Sequence, residues 1–211
     1  MINVVCMRWG SVYSREYVDK LRKMVDTYIT VPHRFICVGD DVPLPAQADD
    51  RVPREWLGKD AKNFSTVQKI YLMQSDLFTS DPCLYLDLDI VIKHNINWMV
   101  DMIDPHKFIV LTGYGNRIGI NTSVIGWMPQ NKYHGIIDFY WNDFDSFHKS
   151  DQEVYKEYMQ DEMCFFEHPE HRIVDWRQKE KLSDADIILY KGPTSNHMED
   201  DEYVTKHWHN I

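Results

Sequence analysis

The segment Cys83–Ile92, CLYLDLDIVI, most constrains what this chain can fold into, because two aspartates interrupt an otherwise apolar run. A short apolar run of this kind predicts a buried strand. In an extended chain, residues i and i+2 point to the same side, so Asp87 and Asp89 share a face. Burying both without a partner is costly, since like charges repel and desolvation penalises each carboxylate. The simplest resolution is a bound divalent cation, and oxygen ligands suit Mg²⁺ or Mn²⁺. The alternative is a chain that twists where the strand ends, so that both aspartates reach solvent.

The flanking patterns set the fold class. Ile2–Met7 is a short apolar run that predicts a strand. Tyr17, Val18, Leu21, Met24, Val25 and Tyr28 then recur at helical spacing, with Ser14 as the candidate N-cap. Arg34–Val38 reads as a second strand, so the chain opens as strand, helix, strand. Pro43, Pro45 and Pro53 mark a long connection. Ser65 is placed to cap a helix over Thr66–Phe78. Further strands are predicted at Phe108–Thr112, Thr122–Met128 and Ile187–Tyr190, and helices at Tyr133–Phe144 and Gln152–Phe166. An irregular polar tail follows. With no repeat and no low-complexity linker, residues 1–211 read as one α/β domain with a twisted, mainly parallel sheet flanked by helices.

Composition narrows the function classes. The 211 residues are 44% hydrophobic, enough for one substantial core. Net charge is −10 and Lys and Arg form no run, which argues against a nucleic-acid partner. A small phosphorylated ligand remains compatible if a cation and a few basic side chains meet it locally. Cys6, Cys37, Cys83 and Cys164 are far apart and make no C-x-x-C pair, so thiols are expected rather than zinc or redox sites. The N-terminus lacks a signal-peptide pattern, and no apolar stretch approaches the roughly 18 residues of a membrane span. The expected location is the cytoplasm.

Tyr85-Leu86-Asp87-Leu88-Asp89 closely resembles the D-x-D strand of GT-A glycosyltransferases, especially bacterial and phage-type members akin to the glycogenin and lipopolysaccharide galactosyltransferase group. Other segments agree in order. Ile2–Leu21 is similar to the family's first strand, nucleotide-side loop and first helix. The stretch around Trp56 and Lys69 resembles the Lys-bearing helix before the D-x-D strand. Asn121–Ile125 resembles the N-[ST]-[SG]-V strand, and Asp161-Glu162 falls where the family has Asp-Gln. Leu189–Pro193 resembles the closing motif over the diphosphate. That motif usually supplies a His ligand, and Lys191 stands in its place here. An ammonium cannot ligate a cation, which leaves Lys191 to contact the diphosphate, and His197, His207, His209 or water to complete the shell.

The resemblance implies a set of roles. Asp87 and Asp89 would hold Mn²⁺ or Mg²⁺ against the diphosphate of a nucleotide sugar, most simply a UDP-sugar. Lys69 would contact the donor, and Asn121 and Asp161 would meet donor-sugar hydroxyls. Arg8 is a donor contact for a further reason: ligands of open α/β sheets bind beyond the carboxyl ends of strands. Trp9 and Tyr13 are placed to stack on the base, although core packing explains them equally well. The acceptor would be a glycan or other hydroxyl compound, and retention of the anomeric configuration is implied.

Two other readings compete. DLDIV also matches the motif of haloacid-dehalogenase-type phosphatases, in which the first aspartate is a nucleophile. That motif normally opens its domain, whereas two strands and two helices precede it here. The other rival is a domain that binds a sugar nucleotide or glycan without turning it over.

Overall fold

The computed structural model describes residues 1–8, 12–39, 67–73, 78, 80–113, 117–142, 150–190 and 201–210. Strand β1 (Ile2–Arg8), helix α1 (Arg15–Tyr28) and strand β2 (His33–Gly39) form the predicted opening unit. β1 and β2 pair in parallel from Ile2 opposite His33 to Arg8 opposite Gly39. Helix α1 buries Val18, Leu21, Met24 and Val25, the stripe that its spacing dictates. Ser14 is the N-cap residue, but its side chain makes no capping bond.

The Cys83–Ile92 segment is not one strand. β3 (Cys83–Leu86) pairs in parallel with β1, the chain turns at Asp87-Leu88-Asp89, and β4 (Ile90–Ile92) enters a second sheet. All seven residues of the two strands are buried. Each half therefore satisfies its own ladder, and the aspartates occupy the corner between them. The expectation of two carboxylates sharing one face of an extended chain is corrected by this corner.

After α2 (Asn97–Met102), β5 (Phe108–Thr112) and β6 (Ile120–Trp127) complete the centre of the main sheet. Helices α3 (Gly135–Asn142) and α4 (Asp151–Tyr158) follow, then β7 (Met163–Phe165), β8 (Ile173–Asp175), β9 (Ile187–Leu189) and a short α5 (Glu202–Val204). The main sheet has the order β2-β1-β3-β6-β5-β7. β6 runs antiparallel to β3 and β5, while the pairs β1–β2, β1–β3 and β5–β7 are parallel. The second sheet, β4-β9-β8, joins an antiparallel pair to a parallel one.

Alternation along the strands divides the core in two. Val4, Cys6, Leu84 and Leu86 face α1, the small sheet and the C-terminal turn. Val5, Cys83 and Tyr85 face Ile70–Met73, α3 and α4. Burying a leucine such as Leu84 or Leu86 contributes roughly 1.5–3 kcal/mol, so this double-sided strand anchors the sheet.

Several boundaries differ from the sequence reading. Within the segment predicted as helix Thr66–Phe78, Val67–Met73 is a 3-10 helix. The helix predicted over Gln152–Phe166 stops at Tyr158, because Met163–Phe165 is taken up as a strand on the free edge of β5. The tail expected to be irregular winds into α5 and a π turn, Thr205–His209. Its Trp208 packs 4.9 Å from the ring of Tyr17. Among the described residues, no helix is long and apolar enough to cross a membrane, and the four cysteines are free thiols.

Candidate active site

The Asp87–Asp89 turn lies at the carboxyl end of β3, beside the start of antiparallel β6, where Leu86 pairs with Val124. The Asp87 amide donates to Ser123 O at 2.8 Å, which pins the turn to β6. Asp87 Oδ1 accepts from Tyr85 OH at 2.7 Å and lies 2.8 Å from Lys69 Nζ. Lys69 Nζ also donates to Thr122 O at 3.2 Å and sits 3.8 Å from Asp151 Oδ2. Asp151 opens α4, where Ser150 Oγ accepts the Glu153 amide as a cap. It accepts from Thr122 Oγ1, and Tyr155 OH holds the lysine's own backbone through Lys69 O at 2.6 Å.

Asp89 is held from the other side. Its Oδ2 accepts from Tyr13 OH at 3.0 Å, and its carbonyl accepts the Tyr190 amide at 3.0 Å. Arg8 Nε donates to Tyr13 O at 2.8 Å, so Tyr13 links the end of β1 to the same turn. The premise of two unpartnered buried carboxylates is thereby corrected: Lys69, Tyr85 and Tyr13 already compensate them.

The electrostatics still leave an excess of negative charge, with three carboxylates around one ammonium. Burial acts to lower the Lys69 pKa, but Asp87, Asp151 and Asp89 outweigh it and the net shift is upward. Burial raises the Asp151 pKa, although Lys69 and the Thr122 hydroxyl oppose it. Burial, reinforced by Asp89 and Asp87, pushes the Tyr13 phenol far above its ordinary value. Tyr13 and Tyr85 therefore act here as neutral hydrogen-bond donors.

The donor set fits a hard divalent cation in part. Among the described residues, no three His, Cys, Asp or Glu side chains gather as a metal cage. Asp87 and Asp89 are the two carboxylates that the turn could offer a divalent cation, and oxygen ligands from elsewhere would have to complete its shell, as is common for Mg²⁺. His207 and His209 lie on the C-terminal turn, and no hydrogen bond or ion pair among the described residues joins either to Asp87 or Asp89. Trp9, Trp56, Lys191 and His197 lie outside the described residues.

The remaining expected residues separate cleanly. Arg8, Tyr13, Lys69, Asp87 and Asp89 are brought together. Asn121 stands at the site end of β6, where its Oδ1 accepts the Ser123 amide at 2.7 Å. Asp161 is not brought to the turn. It is exposed just before β7, and the adjacent Glu162 carbonyl accepts the amide of Phe108 at the start of β5. The end of β5 that faces the site is the other one, where Thr112 pairs with Ile120. Glu162 itself pairs with Lys132 at 2.6 Å. The carboxylate in the cluster is Asp151. The signal for it was the literal Asp151-Gln152 dipeptide, ten residues before the Asp161-Glu162 pair that the resemblance selects. Tyr85, Thr122 and Tyr155 had no signal beyond their place beside it.

No protein-family model matches the sequence, and no curated protein matches it. Solved structures do. The galactosyltransferase LgtC, solved in complex with donor and acceptor sugar analogues, aligns over 90% of this chain and 87% of its own, with TM-score 0.65 and 13% identity. The glycosyltransferase GlyE of Streptococcus pneumoniae TIGR4 aligns over 92% of this chain, with TM-score 0.62 and 12% identity. This chain spans only 56% of GlyE's length. A glycosyltransferase involved in the glycosylation of the major capsid of PBCV-1 covers 89% of this chain and 91% of its own, at TM-score 0.59 and 15% identity. At such low identity the likeness concerns the fold, which is that of the GT-A-like glycosyltransferases.

Proposed function

We propose that this chain is a metal-dependent glycosyltransferase that moves a hexosyl group from a nucleotide sugar, of the UDP type, to an acceptor hydroxyl. The observation that carries the reading is the Asp87-Leu88-Asp89 corner, held between two sheets at the carboxyl end of β3. Ligands of open α/β sheets bind at such ends. Asp87 and Asp89 would hold Mn²⁺ or Mg²⁺, which supplies charge neutralisation for the departing nucleoside diphosphate.

The chain's own side chains do the rest by positioning. Lys69 spends its short contacts on Asp87 and Thr122 O, so it acts through Asp87 rather than by reaching the diphosphate. Tyr13 and Tyr85 each donate to one oxygen of an aspartate and so fix its aim. Asp151, in place of Asp161, is the carboxylate of the cluster; being buried, it serves the donor site by positioning Lys69 and Thr122, with Asn121 at the neighbouring edge. Arg8 lies where a phosphate or base would enter above β1.

Titration calorimetry of UDP tests the reading, with Mn²⁺, with chelator, and on Asp89→Ala. Cation-dependent binding that disappears in the variant is expected, followed by slow hydrolysis of at least one UDP-sugar. Equal UDP binding in chelator, or indifference to Asp89→Ala, defeats the assignment of the corner. Metal-dependent binding with no hydrolysis of any UDP-sugar leaves a binding domain instead of an enzyme.

A further inference from the structure

The C-terminal turn Thr205–His209 packs on two elements, α1 and β4, and both lead to Asp89. β4 begins at Ile90, so the Asp89 backbone runs directly into a strand that lies against the turn. Lys93, the residue after β4, holds its ammonium 4.6 Å from the ring of Tyr203 in α5. On the other side, Lys20 of α1 donates from Nζ to His209 O at 3.1 Å and stands 5.8 Å from the Trp208 indole. Ties at Tyr203 and His209 thus bracket Trp208, which is only 4% exposed.

A row of rings runs from Trp208 to the carboxylate. Trp208 lies 4.9 Å from Tyr17 at an interplanar angle of 56°, and Tyr17 lies 5.1 Å from Tyr13 at 70°. Tyr13 OH then donates to Asp89 Oδ2 at 3.0 Å. Tilted and edge-to-face ring pairs are attractive and, unlike plain apolar contact, directional. Direction matters at Tyr13, which lies between β1 and α1 and belongs to neither. Arg8 Nε holds its carbonyl at 2.8 Å, which fixes the backbone but not the ring. The edge contact with Tyr17 restricts that ring to a rotamer from which the hydroxyl reaches Asp89. Tyr17, half-buried in the first turn of α1, is backed in turn by Trp208.

We propose that Trp208 is a positioning residue for Asp89: it holds Tyr17, Tyr17 holds Tyr13, and Tyr13 sets the aim of the carboxylate toward a divalent cation. The part played by a cation rests on the transferase reading. A carboxylate already held in one rotamer loses less freedom on binding, so the row of rings raises affinity without touching the ligand. The C-terminal turn thereby supports the site from beneath α1 and β4.

Calorimetry of UDP, with Mn²⁺ and with chelator, tests this on Trp208→Leu and Trp208→Phe, each alone and combined with Tyr13→Phe. Trp208→Leu keeps an apolar side chain but removes the ring. It should weaken Mn²⁺-dependent UDP binding by about threefold to tenfold, the scale of one lost ring contact. Trp208→Phe restores a ring and should recover most of that loss. With Tyr13→Phe the last link is already cut, so adding Trp208→Leu should weaken binding no further. Urea unfolding of the same proteins supplies the contrast. A purely structural Trp208 would lower the midpoint alike in both backgrounds and leave the affinity of the folded protein unchanged. Should Trp208→Leu fail to fold, Tyr17→Leu cuts the row at a half-buried rung and carries the same expectations. Equal UDP affinity in Trp208→Leu and wild type overturns the proposal, as does a loss of the same size with and without the Tyr13 hydroxyl. Wild-type binding separates the two levels. If the wild type shows no Mn²⁺-dependent UDP binding, the transferase reading fails and the proposal with it; if it does and Trp208→Leu matches it, only the role of Trp208 falls.

Discussion

Lys69 Nζ lies 2.8 Å from Asp87 Oδ1, on the side of the sheet where the lysine itself is 8% exposed. A residue from a 3-10 helix thus fixes the carboxylate at the corner where one apolar run passes from one sheet into another. Breaking a buried pair by deleting one partner leaves an uncompensated charge.

Lys69→Met is therefore expected to lower stability by about 3 kcal/mol at neutral pH, measured by urea unfolding. The folded pKa of Lys69 is raised above 10.5. Its stabilising contribution is complete below that value and is lost only as pH climbs through the higher folded pKa. The wild type should keep this increment across the neutral range. A loss under about 1 kcal/mol for the variant would place the pair among solvent-screened contacts and contradict its burial.

Asp151→Asn should separate stability from function. Burial raises the pKa of Asp151, so between 3.8 and the folded value the native state binds more protons than the unfolded chain. Stability falls as pH rises through that window, because ionising this buried carboxylate costs the fold free energy. The variant should show an equal or higher urea midpoint at pH 7. It should also lose UDP-sugar turnover by about 100-fold, the scale for removing one well-placed polar group. A clearly lower midpoint would mean that pairing with Lys69 outweighs the desolvation.

Tyr13→Phe removes the hydroxyl that donates to Asp89 Oδ2 at 3.0 Å. Hydrogen bonds to charged groups contribute about 1.5–3 kcal/mol, and this one is partly buried, so a loss near the lower figure is expected. Metal-dependent UDP affinity should weaken as well, because Asp89 loses its fixed rotamer. Unchanged UDP affinity in the variant would show that Asp89 does not depend on Tyr13 for its aim.

Gly126→Ala tests the packing of β6 against Phe166 and Ile103. A Cβ at this position would stand 2.7 Å from Phe166 Cζ and 3.0 Å from Ile103 Cγ1. Overpacking of this degree typically costs about 1–3 kcal/mol, and Phe166 and Ile103 would have to yield. A thermal melt equal to that of the wild type would show that Phe166 can yield freely.

Local pattern alone determined the strand-helix-strand opening, the α1 stripe, the β5 and β6 strands and the placing of Asp87 and Asp89 at the end of a buried apolar strand. Each of these rests on periodicity or on the expense of charge in an apolar run, and both are written in consecutive residues. What the pattern could not carry was partnership at long range. Lys69, Thr122 and Asp151 are separated by up to 82 positions in the chain, yet they share one buried cluster. The Asp151-Gln152 dipeptide was the local hint, but it is the pairing of β7 with β5 that sends Asp161 to the opposite end of the sheet. The break in CLYLDLDIVI has the same origin. Strands Cys83–Leu86 and Ile90–Ile92 look alike in sequence because both are buried, and only the positions of β1 and β9 decide that they belong to different sheets. Hydrophobic burial is non-directional, so sequence sets which residues must leave water, and the tertiary hydrogen-bond ladders decide where they meet.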